Sequence, residues 1–221
     1  MISFNELQEG VYDPNILKAF FLAGGPGSGK SYVVRQTTGG LGMKIVNSDN
    51  AFEKFLKDAN LSLKMPDEEK YARDPVRAKA KNITQKQKSN YVEGRLGLII
   101  DGTGKNYAKI SDEATRLKQL GYDVHMIFVN TSLDTALERN KRRSRSVPES
   151  LVIKSWKDVQ SNIGKFSQYF RQNFVVVDNN DTDEDVMTPV YKQIKSLALA
   201  KISNPLGKQW VANELSKKKR K

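Results

Sequence analysis

The densest chemistry in the chain lies in Ala23-Gly24-Gly25-Pro26-Gly27-Ser28-Gly29-Lys30-Ser31. Gly24, Gly29, Lys30 and Ser31 occupy the fixed positions of G-x-x-x-x-G-K-[ST]. Glycines let successive backbone N–H groups turn inward around a polyphosphate. The lysine reaches the β- and γ-phosphates, and the hydroxyl of Ser31 ligates Mg²⁺. A helix starting at Ser31-Tyr32 aims its positive N-terminal end at the same anion. The spacing therefore predicts a nucleoside triphosphate site built from Gly25, Pro26, Gly27, Ser28, Gly29, Lys30, Ser31 and Tyr32.

Two carboxylates and an arginine cluster complete the candidate chemistry. Asp101 closes the apolar run Leu98-Ile99-Ile100, as a carboxylate that holds Mg²⁺ directly or through water does; the alternative is a cap for the following turn. Thr103 is placed to orient that carboxylate or touch substrate. Asp49 follows Lys44-Ile45-Val46-Asn47, and a carboxylate there can accept the proton of an attacking hydroxyl. Its competing role is an N-cap for the next helix. Arg139 and Arg143 stand four apart in Leu137-Glu138-Arg139-Asn140-Lys141-Arg142-Arg143-Ser144-Arg145 and share a face if the helix continues. Arginines on a closing lid neutralise charge and exclude water during phosphoryl transfer.

These groups need a frame. Ala19–Ala23, Lys44–Asn47, Leu96–Ile100, Val124–Val129 and Phe174–Val177 read as short buried strands alternating with helical patterns. That alternation predicts an α/β fold with a five-stranded parallel sheet flanked by helices, and ligands in such a sheet sit beyond the carboxyl ends of the strands. Helices are expected over 51–59, from Val76 towards Glu93, over 107–120, from Ser132, over 149–171 and over 183–200, with residues 60–75 as loop. The organisation expected is an N-terminal arm (1–18), a P-loop domain (19–200) and a basic tail (201–221).

The 221 residues carry 37 Lys and Arg against 25 Asp and Glu, a net charge of +12. Residues 76–95, 138–149 and the tail Lys217-Lys218-Lys219-Arg220-Lys221 account for the whole surplus. Localised basicity suits a polyanionic partner such as nucleic acid, or simply a solvated face; the tail itself reads as a solvated, disordered end. With no cysteine in the chain, disulfides, thiolate metal sites and cysteine nucleophiles are excluded. The single histidine, His125, lies inside a strand and takes no catalytic role. No signal peptide or membrane-length apolar run is seen, so a soluble, cytoplasmic protein is expected.

On these motifs the chain resembles the phage polynucleotide 5′-kinase branch of P-loop kinases and, more distantly, the zeta-toxin kinases. The likeness spans about residues 19–178, a length that suits a single domain. It rests on Gly24–Ser31, on Asn47-Ser48-Asp49, on Asp101-Gly102-Thr103, and on Arg139-Asn140-Lys141-Arg142-Arg143 followed by Val147-Pro148. The resemblance implies ATP as donor, Lys30 and Asp49 as catalytic groups with Asp49 the general base, Mg²⁺ at Ser31 and Asp101, and Arg139 and Arg143 as lid arginines on the donor phosphates. It also allows an origin in a phage, with synthesis in a bacterial host. One departure is clear: where the polynucleotide kinase carries an acceptor-gripping arginine, this chain has Phe52, and the basic helix at 76–95 is the candidate to replace that contact. The expected activity is transfer of the γ-phosphoryl group to a hydroxyl, with a polynucleotide 5′-OH first, a sugar nucleotide or other small acceptor as in zeta-type kinases second, and an ATP-regulated nucleic-acid-binding factor third.

Overall fold

The computed structural model describes residues 11–38, 41–64, 66–143, 146–180 and 184–219. Its centre follows from Lys18-Ala19-Phe20-Phe21-Leu22-Ala23, all buried. A strand covered on both faces requires a layer on each side. This strand, β1 (Lys18–Ala23), is the middle of an all-parallel sheet ordered β2-β3-β1-β4-β5, with β2 Lys44–Val46, β3 Leu98–Asp101, β4 Asp123–Asn130 and β5 Phe174–Asp178. Leu22 pairs with Asp101 on one side and Ile127 on the other. Because every pairing is parallel, all five strands deliver their last residues to one edge. The expected five-stranded parallel sheet is what forms.

Alternate strand side chains point to opposite faces, and this splits the core. Ala19, Phe21, Leu98, Val124, Met126 and Phe128 pack on one face with Ala114, Leu117, Val159, Phe166 and Phe170. These come from α4 (Tyr107–Gln119), α6 (Glu149–Gln160) and α7 (Ile163–Phe170). Phe20, Leu22, Ile99, Ile127, Val129, Val175 and Val177 pack on the other face against Val33, Val34, Ile194 and Ala198 of α1 (Lys30–Thr38) and α8 (Glu184–Leu199). A third cluster, Phe52, Leu56 and Ala80, joins α2 (Ser48–Asp58) to α3 (Lys70–Glu93).

Three expectations are corrected. The helix expected from Val76 begins at Lys70 and carries Pro75 inside it. The N–H that Pro75 lacks would have bonded the Tyr71 carbonyl, and Tyr71 is 92% exposed, so water can satisfy that group. The long helix expected over 149–171 is broken at Ser161-Asn162. Buried Asn162 turns its amide inward and donates to the carbonyls of Gly104 (3.0 Å) and Lys105 (2.9 Å). Thirdly, the segment expected as a solvated tail forms α9 (Pro205–Lys219), with Ile202, Trp210 and Val211 packed on the first core cluster. Arg220 and Lys221, like residues 1–10 of the expected arm, lie outside the described residues.

A buried carboxylate ties this C-terminal segment down. Asp123 accepts from Lys18 Nζ (2.7 Å), Ser203 N (2.8 Å), Ser203 Oγ (2.7 Å) and Asn204 N (2.9 Å). Burial pushes its pKa up, but the bonds from Lys18 and Ser203 outweigh that, and the net shift is downward.

Candidate active site

After Ala23 the chain turns through the glycine loop into α1. Two glycines there are obligatory for packing. At Gly27 (φ +81°) a Cβ would lie 2.1 Å from the Ala136 carbonyl oxygen of α5 (Leu133–Arg142), and at Gly29 (φ +82°) it would lie 2.2 Å from Asn179 Nδ2. The loop therefore lies directly against the helix that carries Arg139. The Ser28 carbonyl accepts from Asn179 Nδ2 (2.8 Å) and Thr131 Oγ1 (3.2 Å), which pins the loop to the ends of β5 and β4.

The loop, the ends of β2 and β3, α2, α3 and the end of α5 enclose a cleft of about 820 Å³. Gly25, Pro26, Gly27, Gly29, Lys30, Ser31, Asp49, Asp101, Thr103, Arg139 and Arg143 all line it. Ser28 and Tyr32 do not. The Ser28 side chain is buried beneath the loop. The Tyr32 ring packs on the second core cluster, and its N–H already donates to the Gly29 carbonyl (2.9 Å).

Lys30 folds back over the loop, donating to the carbonyls of Gly24 (2.6 Å) and Gly25 (3.3 Å). Burial lowers its pKa; Asp101 and Asp49 oppose the shift and Arg143 adds to it. Asp101 is shifted upward by burial, which outweighs the attraction of Lys30. A cluster of like and unlike charges in a partly desolvated cleft is a preformed binding environment for a polyphosphate.

Asn47 links the two carboxylates. As the N-cap of α2 it accepts from the Asp49 N–H (2.6 Å), while its Nδ2 donates to Asp101 Oδ2 (2.7 Å). The capping role weighed for Asp49 thus belongs to Asn47, which leaves the Asp49 carboxylate facing the cleft. There it pairs with Arg77 NH1 of α3 at 2.9 Å. The Arg77 guanidinium also stacks over the Phe52 ring, 4.5 Å from its centroid. Phe52 itself is only 2% exposed, so it forms the cleft's floor, and the cation at this end comes from α3 instead of α2.

Arg139 and Arg143 both reach the cleft, but not as an i,i+4 pair on one helix. The helix ends at Arg142, and Arg143 is extended. Arg139 is held by the carbonyls of Asn179 (2.6 Å) and Asn180 (3.1 Å). Asn140, 4% exposed, donates to the Val147 carbonyl (2.8 Å) and accepts its N–H (3.1 Å), clamping the loop after Arg143 back onto α5. Ser144 and Arg145 of the arginine-rich stretch lie outside the described residues.

In the sequence Arg77 is only one of the basic side chains of 76–95, and Asn47, Asn140, Asn162 and Asn179 carry no separate role. The signal available for Asn47 and Asn179 was position alone, an amide immediately past a buried strand. Among the described residues no group of three or more His, Asp or Glu side chains could hold a metal. An all-oxygen pair, the Ser31 hydroxyl and the Asp101 carboxylate at one cleft, fits a hard cation that takes its remaining ligands from phosphate and water. No helix among the described residues is long and apolar enough to cross a membrane.

A parallel sheet in this order, with a glycine loop after its central strand and carboxylates ending the neighbouring strands, defines a nucleotide-binding P-loop protein of the kinase-like phosphotransferase class. The chain belongs to the zeta toxin family, whose pattern matches residues 13–188. No curated protein matches its sequence. Among solved structures it is similar to a putative kinase from Chloroflexus aurantiacus J-10-fl (14% identity, TM-score 0.57, covering 86% of this chain and 98% of that one). It is also similar to a chain of the AvrRxo1-ORF1:AvrRxo1-ORF2 complex (15% identity, TM-score 0.60, covering 81% and 64%) and to one of the Pnkp1/Rnl/Hen1 RNA repair complex (19% identity, TM-score 0.52, covering 74% and 49%). The chain thus spans about two thirds of the former's length and half of the latter's. At these identities the likeness is one of fold.

Proposed function

We propose that the protein is an ATP-dependent kinase that transfers the γ-phosphoryl group to an acceptor hydroxyl. The observation that carries this reading is the meeting of Lys30, Asp49, Asp101, Arg139 and Arg143, from four separate elements, on one cleft. The loop amides and Lys30 hold the β- and γ-phosphates. Ser31 and Asp101 hold Mg²⁺, which when bound neutralises phosphate charge and orients the γ-group. Asp49 accepts the acceptor's hydroxyl proton as that oxygen bonds to the γ-phosphorus. The bond from phosphorus to the β–γ bridging oxygen breaks, and ADP leaves. Arg139 and Arg143 close on the donor side, neutralising charge and excluding water.

For the acceptor, a polynucleotide 5′-OH is the first reading, supported by the basic side chains of α3 beside the cleft, and the Pnkp1-containing complex among the fold relatives is compatible with it. A sugar nucleotide is the second, supported by membership of the zeta toxin family. Labelled ATP offered with 5′-OH oligonucleotides, nucleosides and nucleoside diphosphate sugars tests both readings. Transfer to oligonucleotide supports the first, and transfer only to the sugar nucleotide replaces it with the second. If no hydroxyl acceptor is labelled while ATP binds and modulates nucleic-acid affinity, the chain is a nucleotide-regulated binding factor. Asp49→Asn is expected to lower turnover by about 10²–10⁴-fold, the usual contribution of a general base, with ATP affinity nearly unchanged by calorimetry. Full activity in that variant would remove Asp49 from the chemistry.

A further inference from the structure

We propose that Arg77, assisted by Arg73, is the site that reads an anionic group, a phosphate or diphosphate, on the acceptor. This rests on the kinase reading above. Arg73 and Arg77 are four apart on α3 and share one face. Both are half-buried and line the cleft together with Asp49, where α2 packs on α3.

The Arg77 fork is fixed on two sides. Phe52, held rigid by Leu56 and Ala80, supports the flat face of the guanidinium, and Asp49 takes an N–H from NH1. A guanidinium carries five N–H donors in one plane. Stacking on a ring leaves that plane's edge open, so the donors beyond NH1 keep the geometry that matches two oxygens of a phosphate. Arg73 is tethered through NH1 to the Pro66 carbonyl (2.9 Å), which places a second cation on the same side without neutralising it. The carboxylates at this end of the cleft are Asp49, Glu53 and Asp74. Glu53 pairs with Lys57, and Asp74 is exposed.

The Arg77–Asp49 pair gives the site a second property. An acceptor whose phosphate is gripped by the remaining donors of Arg77 delivers its hydroxyl next to the carboxylate that must deprotonate it. Recognition of the anion and placement of the hydroxyl are then one event. A neutral acceptor would lack that placement.

The test compares acceptors that differ only in the anion, a nucleoside 3′-monophosphate against the nucleoside and a nucleoside diphosphate sugar against the free sugar, using wild type, Arg77→Gln, Arg77→Lys and Arg73→Gln. Expected is preferential use of the phosphorylated member. Arg77→Gln should raise its KM tenfold or more with the KM for ATP unchanged, Arg77→Lys should recover part of that, and Arg73→Gln should show a smaller rise. Equal use of neutral and phosphorylated acceptors overturns the proposal, as does a fall in kcat with no change in acceptor KM, which would make Arg77 only a holder of Asp49. A binding arm separates this failure from that of the kinase reading. With the donor site saturated by a non-hydrolysable ATP analogue, calorimetry should show inorganic pyrophosphate binding to wild type and weakened tenfold or more in Arg77→Gln. Unchanged binding overturns the anion site whatever the turnover assay shows. Arg77-dependent binding without turnover of any acceptor overturns the kinase instead.

Discussion

His125 shows how much a single residue can reveal when its environment is known. It is 4% exposed, stacked on Phe20 at 4.7 Å between ring centroids, and neither ring nitrogen has a partner among the described residues. Burial lowers its pKa to about 4; nearby Lys18 adds to the shift and Asp123 opposes it. The folded state therefore binds this proton less readily than the unfolded chain. The contribution to stability is complete above the unfolded value of about 6.5 and is lost as pH falls towards the folded value, a loss of about 3 kcal/mol in all. His125→Phe should flatten the acid limb of a Tm-versus-pH curve between pH 6.5 and 4; an unchanged limb would mean the imidazole is not the titrating group. Asp123, whose folded pKa is lowered, acts in the separate window below about pH 4. In the sequence His125 sits inside an apolar strand, where a single histidine is more often structural than catalytic, so it takes no catalytic role. The stacking ring and the neighbouring lysine, Phe20 and Lys18, both come from β1, about a hundred positions away in the chain, and leave no local signal.

At the scale of elements, the glycine loop, the strands and the helix starts were legible because each has local chemistry: G-K-S, apolar runs and the Ser132 cap. What was hidden arises from elements meeting. Asn47 claims the α2 cap and leaves the Asp49 side chain to pair with Arg77, but Asn and Asp are nearly equal cap formers, so spacing leaves the choice open. The arginine pair was expected on one helical face, yet α5 ends a residue short of Arg143 because Asn140 captures Val147 and draws the chain back. That clamp is testable. Asn140→Ala removes both hydrogen bonds to the half-buried Val147 backbone and should cost about 2 kcal/mol. A protein of this size should show it as a fall in Tm of about 4–8 °C. If the clamp also sets the lid, turnover should drop more than ATP affinity. A variant with native Tm and native turnover would show that the clamp holds nothing.

For the whole molecule, the parallel sheet followed from the alternation of apolar runs with helices, whereas its strand order and the fate of the C-terminal segment did not. Its lysines read as a solvated end. The structure instead seats Trp210 and Val211 on the core and brings Gly207 so close to Gly121 that a Cβ on either would meet the other's backbone. Nothing local signals such a contact, since it depends on two glycines 86 positions apart. A chain ending at Ala200 would leave the buried Asp123 with Lys18 but without Ser203 and Asn204. It should lose about 3 kcal/mol or more in urea unfolding, while native stability would show the segment to be dispensable. The Asp123 junction also bears on how the protein is made. Its partners come from position 18 and positions 203–204, so the carboxylate can pair with lysine early but must wait for its other donors until residue 204 has left the ribosome. At 5–20 residues per second that interval is on the order of 4–16 s. During it the sheet can form, while Asp123 lacks the three hydrogen bonds that Ser203 and Asn204 bring once they emerge.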